Sequence, residues 1–127
     1  MSPVEVQQFD FGKLEYYDNY VISSILPNTQ VTTSIAKTIL TSVKDHFGNK
    51  KMVYISNREF GYDVDVSIYK LVNSKKMVAI AIVSSKREEI VVKAAKEQEV
   101  YKGSFGVFNS IESAVSWAQS FVTEHDN

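Results

Sequence analysis

The sequence predicts an α/β fold in the order ββαβαβαβα, a mixed sheet with an opening hairpin and later parallel strands. Three observations carry this. β-Branched and aromatic residues crowd the first 26 positions around an Asp-Asn turn; two later stretches, 51–56 and 77–83, are short and apolar; and apolar residues recur at helical spacing between and after them.

Phe9, Phe11, Leu14 and Tyr16 sit among polar residues and lead through Asp18-Asn19 into the β-branched run 20–26. This predicts an antiparallel hairpin turning near Asp18-Asn19. From Thr33 to Phe47 the apolar residues Ile35, Ile39, Val43 and Phe47 recur every four positions, Ala36 and Leu40 widen the stripe, and Gly48 follows as a cap. That is one amphipathic helix. Segment 51–56 predicts a buried strand with 57–63 as its exit loop. Asp65 is placed to cap a short helix ending at Asn73, with Ile68 and Leu71 or Val72 inward.

The nearly continuous apolar run from Met77 to Val83 predicts a central strand covered on both faces. Ser85 and Glu88 have capping-box spacing, and Ile90, Val91, Ala94 and Ala95 then form an inward stripe opposite Lys93 and Lys96. Phe105 to Phe108 is a short strand. Asn109 with Glu112 repeats the capping pattern, and Ile111, Ala114, Val115, Ala118 and Phe121 line a closing helix.

A chain of 127 residues is one domain, 1–127, and scaling predicts that about two-thirds of its unfolded surface is buried. The absence of cysteine excludes disulfides, thiolate zinc sites, thiol catalysis and cysteine lipidation. Fourteen basic against fifteen acidic residues leave no global field for a polyanion, so nucleic acid is not favoured. The first ten residues lack a basic stretch followed by an apolar core. The longest apolar run is far shorter than the roughly 20 residues that span a bilayer, so a cytoplasmic protein without membrane insertion is expected.

Parallel strands send their exit loops to one edge, where ligands and partners usually bind. Those loops carry Ser56, Asn57, Arg58 and Tyr62 after the first apolar strand and Ser85, Lys86 and Arg87 after the second. Hydroxyls beside cations and helix amides predict a surface for an anion, a phosphopeptide or a protein partner. Other candidates carry less chemistry. His46 and His125 have no metal-ligand partner at i+3 or i+4; Asp63 and Asp65 precede a helix, where capping explains them; and the glycine pair 103/106 lacks the lysine and hydroxyl of a phosphate loop. Ser56 has no basic neighbour to activate it. Lys50-Lys51 and Lys75-Lys76 precede strands, on the opposite edge, where they could face acidic lipid or a partner, and where the exposed carbonyls of helix ends account for them more simply. Tyr16, Tyr17 and Tyr20, with Tyr54, Tyr62 and Tyr69, suit either sheet packing or an aromatic contact surface. No catalytic set, metal site or cofactor site is predicted.

The element order, the strand 52–58, the segment 62–69 (Tyr-Asp-Val-Asp-Val-Ser-Ile-Tyr) and the strand 77–83 together resemble small bacterial proteins related to STAS domains, of the SpoIIAA-like (STAS/SEC14-like) type. The resemblance covers roughly residues 11–122. It implies a STAS-like fold and a non-enzymatic regulatory or protein-binding module, with phosphorylation of a serine after the third strand as a switch. The Asp-Ser-Ser-Gly or Asp-Ser-Thr-Gly sequence that carries this switch is absent, and Ser56 and Ser67 are the hydroxyls nearest its place. The lipid-transfer side of the resemblance implies an alternative, a carrier or sensor of a small apolar ligand, lipid or metabolite, held between sheet and helices. An enzyme would need Arg58, Asp63 or His46 to converge in a cleft. A homodimer is compatible with the sequence, and no heptad specifies one.

Overall fold

The computed structural model describes residues 2–58 and 64–126, without the side chains of 87–89, 93 and 121–126. Three strands open the chain, β1 (Glu5–Phe9), β2 (Gly12–Tyr16) and β3 (Tyr20–Ile25). Helix α1 (Thr33–Phe47), strand β4 (Met52–Asn57), a 3-10 helix (Val66–Leu71), strand β5 (Met77–Val83), helix α2 (Arg87–Val100), strand β6 (Ser104–Phe108) and helix α3 (Ile111–Asp126) follow. Spatial order in the sheet equals chain order. β1, β2 and β3 pair antiparallel, and β3 to β6 pair parallel.

This order decides which face each helix covers. The three parallel crossovers all step the same way across the sheet, so a constant right hand puts α1, the 3-10 helix and α2 on one face. α3 has no strand after it and packs on the other face, against β3 to β6. β5 feeds both cores: Ile80 and Ile82 join the cluster under α1 and α2, while Ala79, Ala81 and Val83 join Ala114 and Ala118 of α3. Alanine facing alanine lets α3 lie close to the sheet. The continuous apolar run is thus explained by cover on both sides.

β1 is an addition to the predicted ββαβαβαβα order, which becomes βββαβαβαβα with the second helix of 3-10 type. β1 turns into β2 through Asp10-Phe11, with Phe9 paired to Gly12. It is a polar edge strand with exposed Val4 and Val6 flanking Glu5, so it shows little of the alternation that marks a half-buried strand. The Asp18-Asn19 turn lies where predicted, closed by Tyr17 N–H donating to the Tyr20 carbonyl at 2.9 Å.

Thr32 caps α1, its Oγ1 accepting from Ile35 N–H at 3.3 Å, and Gly48 ends it at φ 61°. The helix predicted from Asp65 is a six-residue 3-10 helix, tightened by bonds from Ile68 N–H to the Asp65 carbonyl and from Val72 N–H to the Tyr69 carbonyl. The predicted Ser85–Glu88 capping box is corrected: Lys86 is the cap residue of α2 without a side-chain bond, and Ser84 Oγ takes Lys86 N–H at 3.1 Å. Ser110, rather than Asn109, caps α3 through Ser113 N–H at 3.2 Å. Among the described residues no helix is long and apolar enough to cross a membrane.

Candidate functional site

Alternation along β4 turns Tyr54 and Ser56 toward the face covered by α1, and Arg58, just past the strand, continues the phase. Arg58 N–H donates to the Val83 carbonyl at 2.8 Å, which pins the backbone to the end of β5. The guanidinium therefore points into the protein, where Arg58 is 4% exposed. Glu97 of α2 meets it there at 3% exposure. Arg58 Nη1 donates to Glu97 Oε2 at 2.5 Å and Nη2 to Oε1 in a bidentate pair. Arg58 Nε donates to Ser56 Oγ at 3.1 Å, and the Tyr69 hydroxyl donates to Glu97 Oε1 at 2.5 Å.

Two buried charges each carry a large desolvation penalty, offset only when they pair and their remaining groups are bonded. This cluster meets that condition. Burial and then the Glu97 charge push the Tyr69 phenol well above its ordinary range, so it stays protonated as a donor. Tyr69 is delivered by the 3-10 helix. Asp65 caps that helix by accepting Ser67 N–H at 3.0 Å, and this bond holds the Asp65 carboxyl below its ordinary value.

Against the cluster lies a cavity of about 50 Å³, whose other walls include Ile25, Ile39, Leu40, Val72 and Met77. It has room for a few waters or a short aliphatic group and is smaller than the roughly 300 Å³ at which ligand pockets begin. A second space of about 310 Å³ opens at the opposite rim, between the ends of α1 and the 3-10 helix. Leu40, Val72 and Met77 line both spaces, so these three side chains form a common wall.

The predicted recognition residues do not share one surface. Ser56, 2% exposed, and Arg58 are interior groups, because the strand phase turns them inward. Asn57 is half-buried, whereas Ser85 and Lys86 are exposed. Tyr62 and Asp63 lie outside the described residues, as does the side chain of Arg87. Of the two predicted phosphoacceptors, Ser67 is exposed and Ser56 is enclosed. His46 is not brought to Arg58; its ring stacks on Tyr16 at 4.2 Å and its Nδ1 lies 3.0 Å from Glu5 Oε2. Tyr16 in turn donates to Gln7 Oε1 at 2.6 Å, and burial, then the Glu5 charge, pushes its phenol up to about 12.

Glu97 is the residue that sequence reasoning missed. The stripe expected at Ile90, Val91, Ala94 and Ala95 is corrected: Ile90, Ala94, Glu97 and Tyr101 are buried, while Val91 and Ala95 are exposed. Spacing of four, three and four from Ile90 puts a carboxylate in phase with the apolar face. That charge, together with Arg58 in phase with Ser56, is the signal that identifies the pair. No family model, curated protein or solved structure matches the chain.

Proposed function

We propose that this chain is a non-enzymatic, STAS-like binding module that holds a small apolar ligand between the sheet and the layer formed by α1 and the 3-10 helix. The observation that carries this reading is the common wall of Leu40, Val72 and Met77 between two spaces. Leucine and methionine change rotamer at little cost, and methionine adapts readily to a new neighbour. Rotation of those side chains would join the cavity to the larger space and reach the size of ordinary ligand pockets. Beyond the wall, the floor is closed: Arg58 and Glu97 neutralise each other, which favours an uncharged apolar body at that end.

A second reading, a regulatory module that docks a protein partner, is favoured by α2. Val92 is 74% exposed there, beside the half-exposed Val91, and Ser85 and Lys86 are exposed at the helix start. Both readings are compatible with one protein, since Glu97 ties α2 to the cavity floor.

Titration of the full chain with a series of straight-chain alcohols, followed by native mass spectrometry and calorimetry, tests the apolar pocket. Saturable one-to-one binding is expected, and Leu40→Trp, which fills the common wall, is expected to weaken it at least tenfold. Absence of binding across the series, or equal affinity in the Leu40→Trp protein, would overturn the reading.

A further inference from the structure

The larger space has a chemistry of its own. Its lining includes Lys44 from the last turn of α1, Lys50 from the loop before β4 and Lys76 just before β5, and among the described residues no carboxylate. Among the described residues neither Lys44 nor Lys76 takes part in a salt bridge. Lys50 Nζ donates to the Asp18 carbonyl, a neutral acceptor, at 2.6 Å, and among the described residues it takes part in no salt bridge. The carbonyl end of α1 lies in the same groove and contributes roughly half a negative charge, which is less than three ammonium groups supply. A chain of net charge −1 thus carries a local positive field at the mouth of an apolar space. Leu71, 46% exposed, stands in that mouth beside the lysines.

We infer that this groove takes the carboxylate of a free single-chain fatty acid, with Lys44 and Lys76 on the head group and the alkyl chain directed past Leu40, Val72 and Met77 into the cavity. The proposal rests on the apolar-pocket reading above and adds the head group and the entrance. A groove of about 310 Å³ has room for one alkyl chain and its head group. Lysine suits the role: a flexible point charge follows a carboxylate without demanding the planar fork geometry of arginine. The entrance lies at the edge where strands β4 and β5 begin, opposite the edge of their exit loops.

Decanoate and decan-1-ol, matched in chain length, separate the anchor from the pocket. By calorimetry the wild-type chain should bind decanoate on the order of tenfold more tightly than decanol, as expected for one charge-assisted contact pair in a partly desolvated site. That advantage should vanish in the Lys44→Gln/Lys76→Gln protein and shrink as salt rises, while decanol affinity stays constant. Thermal melting of the double variant should match wild type, since Lys44 is exposed and Lys76 half-exposed. Equal affinity for the two probes, or a decanoate advantage that survives the double substitution, would overturn the anchor and leave the pocket standing. Failure of both probes to bind would remove the pocket itself, and the anchor with it. Co-sedimentation with vesicles rich in acidic phospholipid, without decanoate binding, would assign the lysines to a membrane surface and overturn the proposal.

Discussion

Glu97→Ala should destabilise the fold by about 4 kcal/mol, because it strips the buried Arg58 guanidinium of its bidentate acceptor. Tyr69 loses its acceptor in the same substitution, adding an unsatisfied hydroxyl. A domain of this size has roughly 5–15 kcal/mol in all, so the variant should be near its unfolding limit. Urea denaturation with unchanged slope would read the loss directly. The paired replacement Arg58→Met/Glu97→Leu removes both charges at similar volume and should fall within about 2 kcal/mol of wild type. The contrast between single and double variants separates a broken buried ion pair from a packing defect. A single variant that loses less than about 1 kcal/mol would show that water reaches the pair.

Gly12→Ala should cost about 4 kcal/mol by a different route. Gly12 has φ 152°, and a Cβ built there would lie 2.1 Å from the Ser24 carbonyl oxygen and 2.9 Å from Ile25 Cα. Both are backbone atoms of β3, paired to β2 in the interior of the sheet, so neither can step aside without opening the ladder. Phe9 and Phe11, stacked at 5.0 Å around the same turn, should lose their contact as β1 shifts. Equilibrium unfolding measures the loss; a near-wild-type midpoint would mean that the β1–β2 turn is not held in this conformation.

The parallel half of the fold was legible because its physics is local. Met77 to Val83 is apolar at every position, which only cover on both faces permits, and α1 shows its buried face at strict fourfold spacing from Ile39 to Phe47. β1 was not legible, since an edge strand with Glu5, Gln7 and Gln8 shows no clear buried face and gains its order from pairing with β2. Arg58 was visible as a residue of the site but misplaced on its surface. Placing it inside required a partner 39 residues away on a helix whose phase was set one step off by Val91 and Ala95. The common wall could not be read at all, because Leu40, Val72 and Met77 come from three elements and meet only in the folded chain.

The apolar pocket is tested most directly by methyl-resolved NMR during titration with decan-1-ol. The account predicts saturable shifts at Ile39, Leu40, Val72, Met77 and Ile80, on the α1 face, and none at Val53, Ile55 and Val83, which pack under α3. Shifts confined to the α3 face, or no saturable shift anywhere, would contradict it.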